Sequence, residues 1–242
     1  LSKLLARTKL AETVEKPYAL VKLSGFQVLF KEPKNGIAGS RYLKGGMHGK
    51  SKGQKFLQLS IGWLMDFAIS TTNYHVNSYS AKKSVIRSLT RLHDPSYSEA
   101  ICRDAGLFVG PCHGDFVPTN ILVAHEGINV IDFENFTMLG FPAVDLVSII
   151  VSTGTTIFGL NDKMVSKTFF ETNWFSSVVK DAAAAFCHRF NIEIDSLIST
   201  LPLYSDRAIY LCKAWQMSEL LPFHKKLKHH FEKRQFDVIW QD

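Results

Sequence analysis

The chain has 242 residues, 46% of them apolar and 21% charged, and carries a formal net charge of +6. That length can bury a core, as one large domain or two small lobes, and the composition excludes a disordered or fibrous chain. No apolar run reaches membrane-spanning length: the greasiest stretch, Ala143 to Val151, is interrupted by Asp145 and Ser148, so a buried helix is expected there. The stretch Leu1 to Leu10 lacks a signal-peptide core, and because it opens on Leu rather than Met a missing natural N-terminus is expected. Cys102, Cys112, Cys187 and Cys212 form no CxxC pair and read as reduced, mostly buried thiols of a soluble cytoplasmic protein. The excess of 28 basic over 22 acidic residues leans toward anionic partners such as nucleotides, sugar phosphates or membrane surfaces. No basic helix with interleaved aromatics points to nucleic acid.

In chain order, Tyr18–Ser24 and Phe26–Phe30 are short, apolar and partly alternating around Gly25, which predicts a hairpin or two neighbouring strands. Lys34 to Lys55 is rich in Gly, Lys and Ser. It has neither GxxxxGK[ST] nor GxGxxG spacing, so it reads as a linker and as the boundary between a part spanning 1–55 and a larger part spanning 56–242. Phe56 to Ala68 is apolar enough for a buried helix, and Ala81 to His93 puts its apolar positions on one face, with Ser80 as cap and Asp94-Pro95 as stop. Further helices are expected over Val144–Ser152, Trp174–Phe190, Ile194–Leu201, Asp206–Leu221 and His224–Phe236. His75, His125 and the His229-His230 pair lack metal-ligand spacing.

The chemistry concentrates in Pro111 to Val147. Ile121–Ala124 and Ile128–Ile131 are apolar runs separated by His125-Glu126-Gly127, which predicts a β-hairpin. With the turn centred on residue 126, Asn120 and Asp132 are expected opposite each other at its open end, where an amide oxygen and a carboxylate could share one small cation. Asp115 sits five residues before Asn120, and Pro118 bends the loop between them. Hard oxygen ligands for Mg²⁺ and a carboxylate that accepts a hydroxyl proton are what phosphoryl transfer requires. Asn120 and Asp132 suit the first role and Asp115 the second.

His113-Gly114-Asp115 followed by Asn120 resembles the H-G-D-x-x-x-x-N loop of the aminoglycoside phosphotransferase and choline kinase-like family, whose spacing is also that of the protein-kinase loop. Ile131-Asp132-Phe133-Glu134 resembles the family's metal-binding segment, and Pro142-Ala143-Val144-Asp145-Leu146 is similar to its following helix start. The resemblance implies an α+β, two-lobe protein-kinase-like fold, with a small β-containing N-lobe and a larger helical C-lobe. It implies ATP as phosphoryl donor, Mg²⁺ as cofactor, and a nucleotide and a small hydroxylated molecule as partners. It further implies Asp115 as base, His113 as support for its loop, Asn120 and Asp132 as metal ligands, and Asp145 as a brace accepting backbone hydrogen bonds. Glu134 is either an auxiliary metal-site residue or a surface carboxylate. For the phosphates, Lys31 and Lys22 are the strand-terminal candidates, and each also reads as an ordinary exposed strand lysine. No glutamate stands between Glu32 and Glu99 to pair with such a lysine, although Asp66 could substitute. These N-terminal gaps keep open a catalytically inactive pseudokinase. A kinase acting on proteins is disfavoured by the lack of D-F-G and A-P-E after Asp132.

Overall fold

The computed structural model describes residues 2–6, 8–23, 26–44, 49–91 and 96–233. It has mixed α+β architecture, mostly helical with small antiparallel sheets. Helix α1 (Ser2–Leu5) leads into strands β1 (Pro17–Leu23) and β2 (Phe26–Lys31), which pair antiparallel as expected; Ser24 and Gly25 lie outside the described residues. The region expected as a linker is largely ordered. It contains β3 (Ile37–Ala38), α2 (Gly39–Leu43) and the start of α3 (Gly49–Ser70), so the boundary drawn at 55/56 falls inside a helix. Two of its glycines serve close packing. A Cβ on Gly39 would lie 2.4 Å from the Phe56 ring, and one on Gly53 would lie 2.5 Å from the Trp174 ring.

Helix α4 (Tyr79–Thr90) is capped by Ser78, whose Oγ accepts from the Ala81 N–H, rather than by Ser80. The expected stop at Asp94-Pro95 lies outside the described residues. After α5 (Ser98–Arg103), β4 (Gly110–Cys112) pairs antiparallel with β7 (Thr137–Gly140). Between them lies the expected hairpin of β5 (Ile121–Ala124) and β6 (Gly127–Val130), and β3 covers the outer side of β5. Along β6, Val14 makes a parallel bridge to Val130, and the Val130 N–H donates to the Thr13 carbonyl at 2.7 Å. The chain segment preceding β1 therefore runs beside the hairpin.

The helical part comprises α6 (Pro142–Phe158), α7 (Asp162–Phe169), α8 (Trp174–Phe190), α9 (Ile194–Ser199), α10 (Leu201–Ala214) and α11 (Leu221–Glu232). Pro142 at the first turn and Asp145 nearby suit a helix N-terminus. The helix expected over Asp206–Leu221 starts earlier and stops at Ala214, and positions 234–236 of the last expected helix lie outside the described residues. Helix α3 packs against both α6 and α8, and Phe56, Leu57, Leu64 and Phe67 of its inner face are essentially fully buried. Burying each such side chain stabilises the fold by about 1.5–3 kcal/mol. Among the described residues, no helix is long and apolar enough to cross a membrane.

Candidate functional site

Trp63 of α3 stacks on Phe67 and on Phe116, with ring centroids 5.3 and 5.5 Å apart. Phe116 meets the His113 ring edge-on at 5.7 Å, and His113 lies 4.4 Å from Phe133. This aromatic column, anchored by the Trp63 indole N–H donating to Thr13 Oγ1 at 2.8 Å, fastens both the 113–120 loop and the segment after β6 to the core.

His113 is fully buried. Its Nε2 lies 2.9 Å from the Ile131 carbonyl, and its Nδ1 accepts from the Asp115 N–H at 3.2 Å. The two contacts use both ring nitrogens. The ring thus ties the Asp115 backbone to the strand end beside Asp132. Asp145, 1% exposed, accepts from the His113 N–H at 2.7 Å and the Gly114 N–H at 3.1 Å. Burial pushes its carboxyl above the usual carboxylate range, against the opposing pull of His113, Arg207 and these N–H groups. On the other side of the same peptide, the Arg207 guanidinium from α10 donates to the Gly114 carbonyl. Gly114 itself has φ +83°, a left-handed conformation that glycine adopts without steric cost.

The loop brings Asp115 and Asn120 together: Asn120 Nδ2 donates to both the carbonyl and the Oδ2 of Asp115, each at 2.9 Å. With its amide nitrogen committed there, Asn120 has its side-chain oxygen still available to a ligand. The expected facing of Asn120 and Asp132 is corrected. Ile121 pairs with Val130 and Ala124 with Gly127, so the turn has two residues rather than three and Asn120 faces Ile131, whose N–H donates to its carbonyl at 2.9 Å. Asp132 follows one step later with φ 61° and ψ 60°, and this left-handed kink interrupts the strand alternation that would send successive side chains to opposite faces. Glu134, one residue into the next turn, is exposed. Among the described residues, no three His, Cys, Asp or Glu side chains cluster as a self-sufficient metal cage. Mg²⁺ bound to phosphates needs only one or two protein carboxylates, so Asp132 with the Asn120 oxygen fits its donor chemistry.

Lys31 at the base of the β1–β2 hairpin donates to Glu15 Oε1 at 2.7 Å, and the same oxygen accepts from the Asp132 N–H at 2.7 Å. One carboxylate oxygen thereby links the lysine to the Asp132 backbone. The partner sought downstream of Glu32 lies upstream instead. Asp66 is exposed on α3, and Lys22 is exposed towards the far end of the hairpin.

A cavity of about 630 Å³ opens beside the loop, with Asp115 on its wall together with residues of α6, α10 and the α10–α11 connection. Glu15, Arg207 and this cavity were not found by sequence reasoning. Each depends on contacts between distant segments, and no local motif marks them.

Residues 79–166 match the family model described as the phosphotransferase enzyme family. Over this stretch the chain is similar to that family, in line with the resemblance carried by Asp115, Asn120 and Asp132. No curated protein matches the chain. The matched stretch runs from α4 into α7 and includes Asp115, Asn120, Asp132, Glu134 and Asp145, whereas Lys31, Glu15 and Arg207 lie outside it.

Proposed function

We propose that the chain transfers the γ-phosphoryl group of ATP to a hydroxyl of a small molecule. The observation that carries this reading is the position of Asp115: its carboxylate is held by Asn120 while it borders a cavity large enough for a small-molecule ligand. Asp115 accepts the proton of the attacking hydroxyl, and the Asn120 contact fixes the carboxylate towards it. His113 positions the loop, and Asp145 and Arg207 hold the Gly114 peptide from its two sides. Asp132 and the Asn120 oxygen would hold Mg²⁺, and Glu134 would contribute to its water shell. Bound there, Mg²⁺ neutralises charge on the phosphates. Lys31 orients the phosphates, and Glu15 restrains its side chain as the helical glutamate does in kinase-like N-lobes. In this reading the β1–β2 hairpin is a reduced nucleotide-side lobe and the remainder of the chain a larger C-lobe.

Calorimetry tests the metal assignment. Asp132→Ala is expected to weaken Mg·ATP binding while the melting temperature stays close to that of the parent. Unchanged, metal-independent ATP affinity in this variant overturns it.

A further inference from the structure

We infer that the acceptor is an alcohol with an apolar body and no positive charge, an inference that rests on the phosphotransfer reading for the cavity's role but not for its binding chemistry. Among the described residues lining the cavity, Asp115 is the one carboxylate, and it is set against Lys44 and Arg207. A cationic acceptor would meet a wall of net positive charge, and its ammonium groups would find no second carboxylate to replace the water they shed.

The rest of the wall is of two kinds. On the α6 side, Ser148, Ser152, Thr155 and Thr156 lie at helical spacing on one stripe. Ser152 Oγ donates to the Ser148 carbonyl at 2.5 Å. Thr155 and Thr156 donate to the Ser152 carbonyl at 2.9 and 2.8 Å. Three of these hydroxyl protons are therefore already committed to the helix, and the stripe offers a ligand lone pairs and methyl groups. Anions are poorly served by such a face, while a ligand hydroxyl or amide N–H is well served.

Leu211 of α10 and Trp215, Met217 and Leu220 after it add apolar lining. Of the lining residues, Trp215 is 53% exposed and Leu160 is 50% exposed, so the cavity wall presents large apolar side chains to solvent. His224 also borders the cavity, and its buried Nδ1 has no hydrogen-bond partner.

The test uses three para-substituted benzyl alcohols of similar size, carrying a methyl, a carboxylate or an aminomethyl group. Binding to the full chain is measured by calorimetry without nucleotide, and turnover is then measured with Mg·ATP. The methyl compound is expected to bind on the order of tenfold more tightly than the ammonium compound, with the carboxylate compound between them. Trp215→Ala, at a half-exposed site that the fold tolerates, is expected to weaken the methyl compound by about tenfold, the scale of a lost apolar contact in a pocket. Thr156→Glu adds a carboxylate to the wall and is expected to move the preference toward the ammonium compound. The inference is overturned if the parent binds the ammonium compound equally or better, binds none of the three, or shows no shift in Thr156→Glu. Because binding is read without ATP, the predicted order can hold even if no phosphoryl transfer follows. Conversely, turnover that favours the ammonium compound would keep phosphotransfer and sink the acceptor class.

Discussion

Replacing Gly114 by alanine probes the loop at the point where its restraints converge. The residue has φ +83°, a conformation that costs an L-residue roughly 1–2 kcal/mol. An added Cβ would lie 2.1 Å from the Asn135 carbonyl oxygen, 2.9 Å from the Asn135 carbonyl carbon and 3.2 Å from its Cβ. The first two are backbone atoms in the turn after Asp132, so no rotamer change relieves the overlap. Either the 113–120 loop or the turn must shift by about 1 Å, a displacement that the close-packed surroundings resist. Relief by moving the loop pulls the Gly114 N–H from Asp145 and its carbonyl from Arg207, and each buried hydrogen bond lost costs about 1–3 kcal/mol. The expected loss is therefore on the order of 3–5 kcal/mol, read as a fall in the urea midpoint at unchanged m-value. Gly62→Ala provides the opposite sign. Gly62 sits within α3 with nothing within 4 Å of an added Cβ, so the variant is expected to gain about 0.5–1 kcal/mol. A Gly114→Ala loss below about 1 kcal/mol would refute the account of a loop held from both sides.

Two further outcomes are expected. Lys31→Ala raises the apparent KM for ATP by about ten- to hundredfold, the scale of one hydrogen bond to a charged group, whereas Lys22→Ala leaves it unchanged; equal effects would remove Lys31 from the phosphate site. Burial pulls the His224 imidazole down from 6.5 to about 4, so the fold favours the neutral ring. The ring leaves stability unchanged above pH 6.5, and the fold loses stability as pH falls below it, by about 3 kcal/mol at pH 4. Urea melts of His224→Phe between pH 7 and 4 are expected to show a shallower acid loss than the parent, and identical slopes would contradict the burial argument.

The hairpin and its flanking motifs were legible because each is local. Apolar alternation marks β5 and β6, and the fixed intervals from Asp115 to Asn120 and Asp132 do not depend on the rest of the chain. Register was less legible. Gly127 joins β6 as the partner of Ala124, and this shortens the turn and moves Asn120 opposite Ile131. The glycines between 34 and 55 suggest a linker until Phe56 and Trp174 are seen to occupy the space that side chains at Gly39 and Gly53 would fill. Glu15 meets Asp132 across 117 positions and Arg207 meets Gly114 across 93, separations at which sequence pattern carries no pairing information. The Asp145 brace was implied by the family resemblance, and its two backbone contacts are present in the fold.

The central claim is that Asp115 accepts the proton of an attacking hydroxyl, and single-turnover kinetics of Asp115→Asn with Mg·ATP and a competent acceptor test it most directly. Asparagine keeps the size of the side chain and an oxygen to accept from Asn120 Nδ2, so folding and Mg·ATP affinity are expected to stay near those of the parent. The rate of transfer is expected to fall by about 10²- to 10⁴-fold, the usual range for a lost general base. A transfer rate within a few-fold of the parent at unchanged Mg·ATP affinity would contradict the account.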